Sequence, residues 1–203
     1  MEEQLLKIFE GNSELFITTS STGEVDERGK VQVETFTVHE PVTLKLWKDH
    51  LDGKQRIGIK PEKDDLCKWG CIDIDPQSYK DYSQKKVIDI LRDNQLPLIP
   101  VRSKSGGLHL FLFLNDWSPV KDVLKKLHEW NKNFFQALEV FPMNKCMNMP
   151  YFNMNATTEF AYNENNTPIM IGGFLDLVKN KTVTIEQLSN IKVKEYEPEE
   201  DWK

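Results

Sequence analysis

Two carboxylates alternate with apolar residues in the middle of the chain. Asp73 and Asp75 are interleaved with Ile72 and Ile74, and Pro76 follows. On a β-strand, side chains two positions apart share a face, so the aspartates project together while the isoleucines point into a core. Neighbouring carboxylates repel each other unless a cation lies between them. The pattern indicates a divalent metal site, and the alternative is a strand end at which both acids reach solvent.

A cationic, glycine-rich turn follows the acidic strand. Its candidate phosphate-binding residues are Arg102, Lys104, Ser105, Gly106, Gly107 and His109. Glycines let backbone N–H groups approach an anion, the basic residues add charge-assisted donors, and the histidine ring can donate to a phosphate oxygen. The alternative is a tight hairpin with a core histidine, but a hairpin does not need the Arg-Ser-Lys-Ser run. Together, the acids and the turn indicate metal-dependent chemistry on a nucleotide.

A third carboxylate is expected, because two rarely complete a two-metal site. Glu139 is the best placed, since it lies among apolar residues at the end of a predicted long helix. Asp116 and Glu129 lie in polar surroundings that solvent explains.

The elements that must position these residues follow from the spacing of apolar side chains. Helical spacing predicts helices over 2–10, 43–51, 83–94, 118–138, 173–179 and 184–189. Apolar runs bounded by turn residues predict strands over 15–19, 31–39, 56–60, 68–75, 98–102 and 107–114, and a loose hairpin over 156–170. The order of the elements is mixed, so the expected class is α+β.

Composition favours one sizeable domain. The chain has 203 residues, of which 39% are hydrophobic and 29% charged, which is ordinary for a protein with a buried core. We expect a catalytic domain over 1–190 and an acidic tail or the start of a linker over 191–203. Because no apolar run has bilayer-spanning length and the N-terminus lacks a signal-peptide pattern, a cytoplasmic location is expected.

Charge and cysteine content weigh against some classes of function. The net charge of −6 argues against a protein that simply coats nucleic acid. The last ten residues, with five acids and two lysines, account for −3 of it, and basic residues outnumber acids over 45–63. Cys67 and Cys71 could form half of a zinc site, but their spacing is unusual and no second half is evident, so no zinc is expected.

Three segments together resemble the motifs of a known superfamily. Ile72-Asp-Ile-Asp75, Ser105-Gly-Gly-Leu-His109 and Glu139-Val-Phe-Pro142 are similar, in order and spacing, to the catalytic motifs of archaeo-eukaryotic primases. The flanks at 47–53, 102–107 and 148–153 resemble primase-polymerase domains of phage and plasmid replication proteins. The resemblance runs from about 38 to 188, and it implies a primase core with an RRM-like palm sheet, an N-terminal αβ module and flanking helices.

The resemblance also implies roles for the motif residues. Two Mg²⁺ or Mn²⁺ ions would be held by Asp73, Asp75 and Glu139. The triphosphate of the incoming nucleotide would be gripped by Lys104, Ser105 and His109, and Asn148 matches a further nucleotide contact. The chain departs from the family pattern in two places: the third acid is usually aspartate, and some relatives carry an arginine where this chain has Pro150.

The expected function is template-dependent nucleotidyl transfer, as a DNA primase, a DNA polymerase or both, in phage or plasmid replication. The implied partners are a single-stranded DNA template running over 45–63, a primer, nucleoside triphosphates, and a helicase domain or protein, with no membrane. Two alternatives remain. A metal-dependent nuclease has less use for a triphosphate cradle, and in a non-catalytic single-stranded nucleic-acid-binding module the acids would repel phosphates.

Overall fold

The structure is a computed structural model that describes residues 1–27, 29, 31–76 and 83–193. Its α-helices are α1 Glu2–Ile8, α2 Leu44–Leu51, α3 Gln84–Asp93, α4 Val120–Trp130, α5 Ile171–Lys181 and α6 Ile185–Asn190. Its strands are β1 Phe16–Val25, β2 Val31–Val38, β3 Arg56–Ile59, β4 Glu62–Lys63, β5 Leu66–Ile74, β6 Leu98–Arg102, β7 Leu108–Pro119, β8 Glu139–Phe141 and β9 Met147–Asn148. The acidic tail predicted over 191–203 lies outside the described residues from position 194 onward.

The sheet that carries the predicted site has β-α-β-β-α-β connectivity, formed in chain order by β5, α3, β6, β7, α4 and β8. Its strands are antiparallel and lie in the order β6-β7-β5-β8, while β4 pairs with the beginning of β5. The acidic strand β5 is therefore central. This connectivity is that of an RRM-like sheet, and it confirms the expected α+β class with an RRM-like palm sheet.

A second sheet lies in the order β2-β1-β3-β9, with antiparallel pairing throughout. Helices α1 and α2 pack together beside it and complete an N-terminal αβ module. Hydroxyl side chains fix where several helices begin, because they accept the N–H groups left unpaired in the first turn. Thr43 caps α2, Ser83 caps α3, and Thr184 forms a capping box with Gln187 at α6.

Two apolar clusters cover the two faces of the palm sheet. Ile72 and Ile74 of β5 belong to the cluster that also contains buried residues of α3 and α4. Cys71 belongs to the other cluster, which joins the palm to the N-terminal module around Phe9. The ring of Phe9 contacts those of Trp47, Trp69, Phe111, Phe113 and Phe174. Because side chains alternate along a strand, Asp73 lies on the face of this aromatic cluster.

The two cysteines considered for zinc lie on opposite faces of the palm sheet. The register of β5 against β7 shifts between Cys67 and Trp69, which places Cys67 in one apolar cluster and Cys71 in the other. Burial raises the pKa of Cys67 to about 12. The two thiols therefore pack as separate core residues.

The helix predicted over 118–138 is shorter than expected. α4 ends at Trp130, a π-helical turn follows over Asn131–Phe135, and Gln136 adopts a left-handed conformation with φ 51°. The Asn131 side-chain amide donates to the Ala137 carbonyl at 2.9 Å and accepts from the Ala137 N–H at 2.7 Å. These bonds satisfy backbone groups that have left the helix. The prediction that Glu139 ends the helix is therefore wrong, because Glu139 begins strand β8.

Other boundaries differ by less. β1 continues to Val25 and β7 to Pro119, beyond the predicted ends at 19 and 114. β8 and β9 have three and two residues, which is too short for a periodicity to be visible in the sequence. The hairpin predicted over 156–170 is represented by one bridge, between Tyr162 and Pro168. In the part of the chain that the structure describes, no helix has the length and apolar character to cross a bilayer.

Candidate active site

Three of the predicted site residues form a row across the palm sheet. Asp73 on β5 lies directly opposite His109 on β7 and directly opposite Glu139 on β8. The next row on the same face consists of Cys71, Phe111 and Phe141, all buried. The sheet thus supports the three polar side chains on a packed apolar layer, and residues far apart in the chain become neighbours through strand register.

The carboxylates of this row repel one another in a partly desolvated place. Asp73 has a side chain that is 25% exposed, and its carboxylate oxygen Oδ1 lies 3.4 Å from Nε2 of His109. Burial first, and then the charges of Glu139 and Asp75, raise the pKa of Asp73 to about 6. A positive charge among these carboxylates would relieve that repulsion. The donor set therefore has the chemistry that Mg²⁺ or Mn²⁺ prefers.

His109 is an uncharged donor rather than a cation. Its side chain is 14% exposed, and burial lowers the pKa of His109 to about 4, against a smaller opposing effect of Glu139. At neutral pH the imidazole therefore carries one N–H and no net charge. It can donate a hydrogen bond to a phosphate oxygen, while charge neutralisation has to come from other groups.

The third acid is held by a lysine. The ammonium group of Lys145 donates to Oε1 of Glu139 at 2.7 Å, and both side chains are partly exposed. Among the described residues, no three His, Cys, Asp or Glu side chains already converge as a metal site. A metal ion bound by the three acids would therefore compete with Lys145 for the carboxylate of Glu139.

The turn between β6 and β7 is fixed by Ser103. Its backbone N–H donates to the Gly107 carbonyl at 2.9 Å, its carbonyl accepts the Gly106 N–H at 3.0 Å, and its hydroxyl accepts the Gly107 N–H at 3.0 Å. The Ser105 hydroxyl lies 3.2 Å from the Ser103 hydroxyl. Two glycine N–H groups that were predicted to face an anion are thus used inside the turn. The side chains of Lys104 and Ser105 are exposed.

The turn packs directly against the end of the acidic strand. A Cβ added to Gly107 would lie 2.1 Å from the Ile74 carbonyl oxygen and 2.7 Å from Cδ of Pro76. Asp75 lies between these two residues. Only glycine allows this approach, and it brings the predicted phosphate turn next to the predicted metal ligands.

Comparison with known proteins identifies the superfamily of the chain. The model of the family described as "TOTE conflict system, Archaeo-Eukaryotic Primase domain" matches residues 14–144, which is more than half of the 203-residue chain. The chain belongs to the archaeo-eukaryotic primase superfamily. No curated protein matches it. The family description names a conflict system, whereas the sequence prediction placed the protein in phage or plasmid replication.

Asn148 lies beyond the part of the primase domain that the family model matches. It is on β9, opposite Gly58 of β3, and therefore belongs to the N-terminal sheet. Its side-chain oxygen Oδ1 is buried without a hydrogen-bond partner among the described residues. A buried, unpaired amide oxygen is costly, and a ligand N–H or O–H would satisfy it.

His50 connects α2 to the strand pair that carries Asn148. Its Nε2 lies 2.9 Å from the Pro150 carbonyl, and its Nδ1 accepts the Ile57 N–H at 3.2 Å. A carbonyl can only accept and an N–H can only donate, so the neutral Nε2–H tautomer satisfies both contacts. Burial lowers the pKa of His50 to about 4. The sequence interpretation included this residue in a family flank without giving it a role.

A nearly buried ion pair was also missed from the sequence. Nη1 of Arg56 lies 2.5 Å and 2.7 Å from the two carboxylate oxygens of Glu159, and the side chains are 13% and 7% exposed. The guanidinium also lies over the Phe152 ring, 4.3 Å from its centre. The neighbouring Thr158 carbonyl accepts a hydrogen bond from the side chain of Arg102 at 3.1 Å. This chain of contacts joins β3 to the end of β6, next to the phosphate turn. The sequence feature that pointed to this ion pair was Arg56, a basic residue at the start of the apolar strand β3.

Part of the positive charge predicted for template binding is locally neutralised. Lys45 pairs with Asp49, while Lys48 and Lys54 both pair with Asp52. These exposed pairs contribute little to stability, but they reduce the charge that this segment offers to phosphates.

Proposed function

We propose that this primase-superfamily domain catalyses template-dependent nucleotidyl transfer, with Asp73, Asp75 and Glu139 holding two divalent cations. One observation carries the proposal: strand register aligns Asp73 with both His109 and Glu139, on the palm sheet of a superfamily to which the chain belongs. The superfamily supports primase-like chemistry, and the finer assignment to a DNA primase or a DNA polymerase is part of the proposal.

The metal ions would be held by oxygen ligands alone. Bound Mg²⁺ or Mn²⁺ would supply the positive charge that activates a 3′-hydroxyl and neutralises phosphate oxygens in the transition state. Asp73 and Asp75 would provide ligands from β5 and its end, and Glu139 would provide one from β8. Burial and the repulsion from Glu139 and Asp75 raise the pKa of Asp73, which is consistent with this role.

The protein side chains would position the nucleotide. His109 would donate one hydrogen bond to a phosphate oxygen, because it is neutral at physiological pH. Lys104 would supply charge, and the Ser105 hydroxyl a further donor. Asn148 would receive a hydrogen bond from the nucleotide at its unpaired oxygen. Arg102 holds the Thr158 carbonyl, so it would act by placing the turn.

The proposed macromolecular partners are a single-stranded DNA template and a primer. The alignment of acids beside a separate phosphate turn supports a polymerising reaction over a nuclease reaction, since hydrolysis of a strand does not require a triphosphate site. The proposal covers the chemistry of the domain. A helicase partner and a cytoplasmic location remain expectations from the sequence.

The test is nucleotide incorporation by the purified chain. It is incubated with a single-stranded template and labelled nucleotides, with and without a primer, in Mg²⁺, Mn²⁺ or EDTA. We expect metal-dependent products that fall by at least about a hundredfold in Asp73→Ala and Asp75→Ala. Asp176→Ala removes an exposed acid of α5 and is the matched control, expected to retain full activity.

Two outcomes would contradict the assignment. Synthesis at the wild-type rate in both aspartate variants would remove the metal site from β5. An unchanged apparent affinity for nucleotide in His109→Ala would show that the histidine only supports the sheet.

A further inference from the structure

A groove opens at the end of the palm sheet opposite to the acids. Its floor is formed by β5 and β7, and α1 and α5 form its walls. Its volume is about 400 Å³, within the range of about 300–1,000 Å³ that small-molecule sites occupy. The primase motifs contribute none of its lining.

The groove is spatially separate from the candidate active site. Lys68 in its floor precedes Asp73 by five positions on β5, and Phe113 follows His109 by four positions on β7. At a rise of about 3.3 Å per residue, these separations correspond to about 13–17 Å along the strands. A ligand in the groove would therefore not contact the acid row.

The lining combines three lysines with an apolar surface. Lys7 and Lys179 are exposed on the two helical walls, and no ion pair involves either of them within the described residues. Lys68 is only 14% exposed and has one acidic partner, Glu10, whose side chain is 48% exposed. The groove therefore concentrates positive charge in a chain with a net charge of −6. An anionic ligand would be attracted to it.

The apolar part indicates which anion fits. Phe113, Leu175 and Val178 form a nonpolar bottom, and the side-chain amides of Gln4 and Asn115 lie at the margin. Amides offer both a donor and an acceptor, which suits the edge of a heterocyclic base. Lysine ammonium groups suit phosphate as point charges. A fatty acid would use neither the amides nor three separate cations.

We propose that this groove is a nucleotide-binding site distinct from the active site, with the base on the apolar bottom and phosphate on Lys7, Lys68 and Lys179. The same chemistry is offered by a free nucleotide and by one nucleotide of a single strand, and the two sources are separable by experiment. The proposal does not depend on catalysis, because its residues lie outside the proposed active site.

The experiment is calorimetric titration in EDTA with two probes, AMP and a short oligodeoxyadenylate. It uses the chain carrying Asp73→Ala and His109→Ala, so that binding at the proposed active site is weakened. We expect saturable binding of at least one probe. Lys7→Glu with Lys179→Glu should weaken that binding by about tenfold or more. Lys121→Glu with Lys125→Glu, a matched exposed pair on α4, should leave it unchanged.

A shape variant separates specific binding from general charge attraction. Asn115 is exposed at the groove margin, so Asn115→Trp fills the groove without altering its charge. Asn115→Trp should weaken nucleotide binding as much as the Lys7/Lys179 variant does. Binding of AMP identifies a free nucleotide as the source, and binding of the oligonucleotide alone identifies a strand. The proposal is overturned if neither probe binds, or if the Lys7/Lys179 variant binds as the parent chain does. It is equally overturned if the α4 control loses binding to the same extent.

Discussion

Replacement of Gly107 by alanine tests whether the contact between the turn and the acidic strand is needed for function. Gly107 is the residue at which the predicted phosphate turn touches the backbone of β5. Its φ lies outside the left-handed region, so alanine can adopt its backbone conformation. The effect of the substitution therefore comes from the added methyl group and its neighbours.

The size of the effect follows from the geometry. The new Cβ would lie 2.1 Å from the Ile74 carbonyl oxygen, and real Cβ contacts essentially never fall below 3.0 Å. The turn and the strand must therefore separate by at least 0.9 Å, the difference between these distances. Overpacking of this kind costs about 1–3 kcal/mol in the free energy of unfolding. A displacement of about 1 Å at a reacting centre costs about a hundredfold in rate.

The assay compares three glycine variants in denaturant unfolding and nucleotide incorporation. Gly107→Ala should lose both stability and activity. Gly106→Ala meets only Nη2 of Arg102, at 3.5 Å, but its φ is +88°, so it should lose stability by backbone strain with a smaller loss of activity. Gly172→Ala has no neighbour within 4 Å and lies in α5, so it should be neutral or slightly stabilising.

Two results of the glycine-variant assay would contradict this reasoning. If Gly107→Ala matches Gly172→Ala in both stability and activity, the turn does not depend on its contact with Ile74. If it loses stability but keeps full activity, the turn moves without consequence for the reaction, and the phosphate site lies elsewhere.

Three further predictions concern ionisable side chains. The pKa of His50 is lowered to about 4 in the folded state. Its contribution to the free energy of unfolding is therefore complete above about pH 6.5 and falls by about 3 kcal/mol as the pH drops to 4. The unfolding free energies of wild type and His50→Gln should converge on acidification, and a constant difference between them would contradict the burial of a neutral ring. Arg56→Ala leaves Glu159 buried without its partner and should cost about 3–5 kcal/mol in denaturant unfolding, part of which the double alanine variant should recover; an unchanged midpoint would show that the pair is solvated. Lys145→Ala frees the carboxylate of Glu139 and should tighten Mn²⁺ binding in calorimetry, whereas unchanged or weaker binding would argue against Glu139 as a ligand.

The parts of the site that lie within one strand or turn were predictable from the sequence. Asp73 lies on the face of the aromatic cluster because strand side chains alternate with a period of two residues, and Asp75 follows Ile74, the last residue of β5. The turn over Arg102–His109 combined glycines with basic residues that a simple hairpin does not require. The palm elements β5, α3, β6 and β7 were all predicted in order, because each is long enough to show its own hydrophobic period.

The parts that depend on long-range pairing were not predictable. β8 has three residues, and the apolar spacing of α4 continues without interruption to Leu138, so the sequence pattern favoured a longer helix. Leu138 proves to be 81% exposed. The ion pair between Arg56 and Glu159 joins residues 103 positions apart, and neither position carries a local signal of its partner.

Strand register gives the short segment between α4 and β8 a role in the site. A slip of β8 by one residue would place Val140 opposite Asp73 and turn Glu139 toward the other face of the sheet. The register is specified at its entry by Asn131, whose amide holds both backbone groups of Ala137. Val140 and Phe141 then pack into opposite apolar clusters, so a slipped strand would expose one and bury a carboxylate. The position of the third acid is thus decided by an asparagine eight residues earlier, and not by the chemistry of Glu139 itself.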